Sequence, residues 1–342
     1  MKVRGSQVFA DELARFAAEC DDARVSAIAA HTGAPLRAVV RGRAGVGRGT
    51  VARALAHASG ITVMPDAGEA DVTVQVIAEV VKPEDVDAIA AADCPVLTVL
   101  NKADLAGSLS GRTADGPLAA ARTRGTQLAG LTGAAVEPMI ALLAVAALEG
   151  LDATSWAALR TLAAHPACLE GSFEEFVAAD NPVPTHARLR LLETLDLFGT
   201  ALGIAAIRRG ATLSQVCALL RRISGVDVVV ARLWAVGAQA RYRRVLEATA
   251  ELEALAVGRS RIGEQVSGFL SRDDTVLARM AAAVEAADAA GLDTGPDVDD
   301  DLARAVRWQR DSRGSADDLR RACGADIARG SLRLWSRTRE SS

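Results

Sequence analysis

Two short turns, each placed directly after an apolar run, constrain this chain more than any other feature. Ala38-Val39-Val40 leads into Gly42-Arg43-Ala44-Gly45-Val46-Gly47-Arg48-Gly49-Thr50, and Pro95-Val96-Leu97-Thr98-Val99-Leu100 leads into Asn101-Lys102-Ala103-Asp104. A short unbroken apolar run bounded by turn residues reads as a strand buried on both faces, and such strands belong to parallel sheets covered by helices. In open sheets of this kind ligands bind at the carboxyl ends of the strands. Both turns fall at such ends.

The pattern around them agrees. It predicts a helix over 8–18, a strand over 36–40, a helix over 50–58, strands over 61–64 and 72–80, and a helix from Lys82-Pro83-Glu84-Asp85 through 91. A strand over 96–100, a loop over 107–117, a helix over 118–131 and a strand over 135–139 follow. Beyond residue 140 the signal is helical: 155–164, 173–179, 189–208, 213–223, 228–256, 275–290, 302–310 and 316–329, with 226–230 ambiguous between strand and helix. Asn181-Pro182-Val183-Pro184-Thr185 and Asp293-Thr294-Gly295-Pro296-Asp297 punctuate this half. The expected organisation is an α/β domain over 1–150, a mostly parallel sheet with helices on both faces, followed by an all-helical domain over 151–342.

Composition narrows the function classes. The chain has 342 residues, a net charge of -4 and 3% aromatic residues, so it offers no global basic field and no stacking platform for nucleic acid. Five scattered cysteines without a CxxC pair predict reduced thiols and not a disulfide framework. The N-terminus lacks an apolar signal core, and no run reaches the length of a bilayer span. A cytoplasmic protein is expected, with peripheral membrane contact left open by the arginine-rich stretch over 304–339. His31, His57, His165 and His186 stand apart and show no metal spacing.

The first turn has the chemistry of a phosphate cradle. Glycines let successive backbone N–H groups face an anion, and the following helix adds its positive N-terminus. Gly42 and Gly47 stand at the spacing of a phosphate loop, and Gly45 adds backbone freedom. Where that loop carries lysine, this chain has Arg48, a planar fork instead of a compact ammonium. The magnesium-ligating hydroxyl position is Gly49, which has no oxygen to offer, and Thr50 comes one place later. The second turn suits base recognition. A carboxylate at Asp104 can accept from the N1–H and 2-amino group of guanine, the Lys102 stem can cover the base, and the Asn101 amide can tie neighbouring loops together.

Together, Gly42 to Thr50, the strand over 72–80, Asn101 to Asp104 and the strand over 135–139 resemble a degenerate P-loop GTPase of the translation-factor-related class. The helical half, with the segment over 241–255 and those around Trp308 and Trp335, is similar to the helical part of bacterial dynamin-like GTPases. The resemblance implies a P-loop NTPase-like sheet and binding of GTP or GDP through Gly42, Gly45, Val46, Gly47, Arg48, Gly49, Thr50, Asn101, Lys102 and Asp104. It places the Ala141 backbone N–H on the guanine oxygen and leaves Thr50 and Asp66 for magnesium. The switch loop that closes over the metal has no room between the first helix and the strand over 61–64. Asp66-Ala67-Gly68 is one residue short of the family's Asp-x-x-Gly element.

The expected activity is therefore guanine-nucleotide binding with weak or absent hydrolysis, in a regulatory or partner-binding protein. A second reading is a pseudo-GTPase scaffold that binds no nucleotide and engages a dynamin-like partner, another GTPase. A third is an NAD-binding oxidoreductase, with Gly45-Val46-Gly47 opening a dinucleotide turn. Thr50 replaces the third glycine of that fingerprint, and Asn101 to Asp104 are left without a role.

Overall fold

The computed structural model describes residues 5–58, 60–66, 68–106, 116–165, 169, 172–257, 261–294 and 300–340. In chain order these form α1 (Gly5–Cys20), α2 (Ala23–Thr32), β1 (Leu36–Gly42), α3 (Arg48–Ala56), β2 (Ile61–Met64), β3 (Val72–Ala78), α4 (Pro83–Ala90), β4 (Val96–Asn101), a 3-10 turn (Ala103–Ala106), α5 (Gly116–Thr132) and β5 (Val136–Pro138). There follow α6 (Ala141–Glu149), α7 (Ala153–Ala164), α8 (Phe173–Ala178), α9 (Thr185–Arg208), α10 (Leu213–Ser224), α11 (Val226–Val236), α12 (Ala238–Ala256), α13 (Arg261–Ser271), α14 (Asp273–Ala289), α15 (Asp301–Gly314) and α16 (Asp318–Glu340). Residues 107–115 of the expected loop, Ala67 of the Asp66 turn and Cys168 lie outside the described residues.

The five strands make one parallel sheet in the order β2-β1-β3-β4-β5. Val40 pairs with Val74, Val76 with Val99, and Leu100 with Pro138. The central strand β3 is buried along almost its whole length, which is why it is rich in β-branched residues on both faces. The chain leaves β1 towards β2 on one side and then returns to β3 on the other. That reversal is the topological switch point, and the glycine-rich turn after β1 sits at it.

The compact units divide the chain differently from the expected cut at residue 150. One unit is Arg37–Leu233; the other joins Met1–Leu36 to Trp234–Ser342. The physical reason lies in the cores. Leu143, Leu159, Leu191 and Leu220 from α6, α7, α9 and α10 share one core with Ile77 and Leu100 of the sheet, so those helices complete the α/β unit. Phe9 and Phe16 of α1 pack instead with Tyr242, Phe269 and Ile327, and the Phe16 and Phe269 rings stack at 4.6 Å. The N-terminal helices therefore belong to the helical unit, a long-range association that local pattern does not encode.

Three further differences have local causes. The expected helix over 228–256 is two helices that meet at Gly237. The ambiguous segment at 226–230 is helical, because Gly225 takes a left-handed conformation that ends α10 and lets α11 begin at once. Helix α9 is broken at Asp196 (φ 58°, ψ -177°), a region of backbone space populated almost only by glycine. Asp196 restarts the helix: its Oδ1 accepts the Leu197 N–H at 2.7 Å and its carbonyl accepts the Thr200 hydroxyl at 2.6 Å.

Among the described residues, the helical unit holds a buried ionic network around Asp326. Asp326, 3% exposed, accepts from the Tyr242 hydroxyl at 2.9 Å and from Arg279 Nη2 at 2.7 Å. No single helix among the described residues is long and apolar enough to cross a membrane.

Candidate functional site

The turn between β1 and α3 is shaped by its glycines. Gly42, Gly45 and Gly47 all have positive φ (151°, 84° and 83°), so the chain alternates through conformations that L side chains resist. At Gly47 a Cβ would also lie 2.3 Å from Asn101 Nδ2, so backbone and amide are in intimate contact. Among the described residues, none accepts a hydrogen bond from the backbone amides of residues 44–50. A run of uncommitted amides on such a loop, continuing into a helix N-terminus, forms a concavity suited to an anion.

Asn101 joins three segments. Its Nδ2 donates to the Val46 carbonyl at 2.9 Å and its Oδ1 accepts the Ala141 N–H at 3.0 Å. The side chain is 4% exposed, and both bonds form away from water. The glycine turn, the end of β4 and the start of α6 are thereby held together at the carboxyl edge of the sheet. The Asn101 amide thus ties these three segments to one another. The Ala141 N–H, which the resemblance places on a guanine oxygen, donates here to Asn101.

Lys102 is exposed and has a positive φ of 56°. It lines a cavity of about 190 Å³ together with Glu79, Leu100, Leu105 and Arg124, whereas Asp104 is not among the lining residues. Asp104 sits half-buried in the 3-10 turn. Burial pushes its carboxyl above the ordinary carboxylate value. The nearby charge of Asp196 adds to the rise, while a backbone hydrogen bond and Lys102 oppose it. An ionised Asp104 therefore has an unfavourable neighbour on α9.

The positions around the glycine-rich turn are uneven. Arg48 is exposed, and among the described residues its guanidinium meets no hydrogen-bond or ion-pair partner, so its charge is uncommitted. Gly49 is exposed and Thr50 half-buried. Asp66 is exposed and accepts the Gly68 N–H at 3.2 Å, the geometry of a side chain closing its own turn. No three acidic, cysteine or histidine side chains among the described residues gather where they could hold a metal ion. The donor set at Gly49, Thr50 and Asp66 does not fit a resident magnesium.

One contact at the loop has no counterpart in the sequence reading. Arg43, the residue after Gly42, donates from Nε to both carboxylate oxygens of Asp85 at 3.1 Å. Asp85 is wholly buried in the first turn of α4, where it also accepts the Lys82 N–H at 3.0 Å and Gln75 Nε2 at 3.3 Å. In the sequence, Lys82-Pro83-Glu84-Asp85 shows only a helix start. The sole signal is an acidic residue at the third helical position, a common capping arrangement. The larger cavity of about 680 Å³ belongs to the helical unit, where Asp311 with Arg320 and Asp293 with Arg307 already pair among its lining residues.

Comparison of the chain with protein-family models, with curated proteins and with solved structures finds no match.

Proposed function

We propose that this protein binds a guanine nucleotide, with its phosphates in the cradle from Gly42 to Thr50 and its base near Asn101 to Asp104, and hydrolyses it weakly or not at all. The observation that supports this reading most is the Asn101 amide, which bridges the Val46 carbonyl and the Ala141 N–H. It joins the loop chemically suited to phosphate to the turn chemically suited to a base, at the switch point where ligands of such sheets bind. Phosphoryl transfer depends on a metal, a lysine and a positioned water acting together. Here the lysine position is Arg48, the hydroxyl position is Gly49, and the metal donor set is incomplete. Binding survives these changes more readily than turnover.

A second reading is favoured by a specific observation. Asp104 has its carboxyl raised by burial and by Asp196, and the Ala141 N–H is engaged, so two of the groups needed to read guanine are compromised. In that case the unit is a pseudo-GTPase scaffold, and its partner is a protein, for example an active dynamin-like GTPase. Titration of the purified protein with fluorescent GDP, with and without magnesium, separates the two. Saturable binding that survives EDTA and prefers GDP to ADP supports the nucleotide reading. Equal affinity for ADP removes the base assignment, and absence of binding at millimolar ligand leaves the scaffold.

A further inference from the structure

The loop carries a cation that the nucleotide reading does not use. Arg43 follows Gly42 directly, and its guanidinium is gripped only by the inner end: Nε donates to Oδ1 and Oδ2 of Asp85 at 3.1 Å. Asp85 is itself fixed, being fully buried and holding the Lys82 N–H and the Gln75 amide. The terminal nitrogens Nη1 and Nη2 donate to no described residue, and the Arg43 side chain keeps 26% of its surface. An arginine anchored at Nε and open at its fork is oriented before any ligand arrives, and that fork matches two oxygens of a phosphate. Between Arg43 and the Val46 carbonyl held by Asn101 lie only the exposed Ala44 and Gly45, whose amides are uncommitted.

From this geometry we infer that Arg43 binds a phosphate group of the ligand directly and that Asp85 is its positioning residue. The ligand class is a diphosphate-bearing nucleotide, and the arginine fork supplies charge that a lysine and a metal would otherwise provide. The inference rests on the phosphate reading of the glycine loop, within whose span Arg43 lies but which gives its side chain no role. Asp85 acts only through Arg43, by fixing the plane and reach of the guanidinium.

The decisive variant is Arg43→Gln. Glutamine reproduces arginine atom for atom as far as Nε, so its side-chain nitrogen can keep the bond to Asp85 while the cationic fork is lost. Fluorescent GDP and inorganic pyrophosphate are titrated without metal at several salt concentrations, alongside thermal melts. The expected result is a lower melting temperature, because the buried Asp85 carboxylate loses its counter-charge, and the titrations are made well below that melt. GDP and pyrophosphate should both bind at least about 10-fold more weakly, and the dependence of affinity on salt should be shallower, because one charged contact is gone. Asp85→Asn should weaken binding in the unaltered background and add nothing to Arg43→Gln, since neighbours acting through one contact are non-additive. Arg43→Gln binding as tightly as the unaltered protein, with the same salt dependence, would overturn the assignment. So would an Asp85→Asn loss that persists in full beside Arg43→Gln. If the unaltered protein binds pyrophosphate but not GDP, the base reading fails while Arg43 is still tested on pyrophosphate. If it binds neither, the phosphate reading and this inference fall together.

Discussion

Gly47→Ala should be clearly more damaging than the same change at Gly45 or Gly49, and that contrast makes the reasoning testable. Gly47 sits at φ 83°, where an alanine is strained by about 1–2 kcal/mol. Its new Cβ would lie 2.3 Å from Asn101 Nδ2, so the amide must move. Moving it endangers two buried hydrogen bonds, to the Val46 carbonyl and from the Ala141 N–H, each contributing about 1 kcal/mol. The expected loss is about 3–4 kcal/mol. Gly45 has nearly the same φ, 84°, but a Cβ there meets nothing within 4 Å. Gly45→Ala should therefore lose only the strain, about 1–2 kcal/mol. Gly49 lies in the first turn of α3 with ordinary φ and open space around it, so Gly49→Ala should stabilise by up to about 1 kcal/mol. Urea denaturation followed by far-UV circular dichroism, with hydrogen exchange at the β1 and β3 amides to report the sheet unit, measures all three. A Gly47→Ala loss within about 1 kcal/mol of the Gly45→Ala loss would show that the Asn101 contact contributes nothing beyond backbone strain.

Other parts of the structure lead to predictions of different kinds. Asp326→Ala leaves the buried Arg279 guanidinium without its carboxylate and should cost about 3–5 kcal/mol, whereas Tyr242→Phe removes one hydrogen bond and should cost about 1 kcal/mol; calorimetric melts compare them. Burial pushes the Cys323 thiol up to about 12, so it should resist thiol reagents at pH 8 while the half-buried Cys20, Cys94 and Cys217 are modified first, as mass spectrometry of timed samples would read. Asp104 has a folded-state pKa raised above its unfolded value, so the stability it contributes is complete below the unfolded value, near pH ~4, and is lost as pH rises through the folded one. Asp104→Asn should thus melt above the unaltered protein at pH 7 and lose that advantage in acid; an equal difference at both pH values refutes the sign.

The α/β framework could be read from the chain because its strands are short, apolar throughout and bounded by turn residues. β2 occupies residues 61–64 as expected, and β1 and β4 extend past their expected ends by two residues and one. Those extra residues, Arg41, Gly42 and Asn101, are the ones that carry the strands into the site. That Asn101 has an amide able to bond on two sides is legible from its residue type and its place after a strand; which atoms it meets is not. What Arg43 does could not follow, because its partner Asp85 lies 42 positions away and is brought to it by the crossover through β3 and α4. The membership of α1 and α2 in the helical unit was equally hidden. Amphipathic pattern shows that Phe9, Leu13 and Phe16 face a core, but not which core, and only the long-range packing on Tyr242 and Phe269 decides it. The break in α9 was hidden for a third reason: Asp196 adopts a conformation its residue type disfavours, held by its own side chain and by Thr200.

The charges around the glycine loop bear on which nucleotide state the site would favour. Arg41, Arg43 and Arg48 all lie on the loop or at its approach, and among the described residues only Arg43 has an ion-pair partner, a carboxylate wholly withdrawn from water. The surface that a ligand meets is therefore positive, and its amides are uncommitted. In a site built around magnesium, the metal bridges the outer phosphates and makes the third one worth binding. In this loop that charge would have to be met by arginine forks alone, and a fork holds two oxygens at a time. A third phosphate gains little from the loop and brings further charge to be neutralised. GTP should therefore bind this protein no more tightly than GDP, with or without magnesium. A clear magnesium-dependent preference for GTP would mean that a metal site assembles here despite Gly49, and that the loop has kept more of a hydrolytic site than its residues indicate.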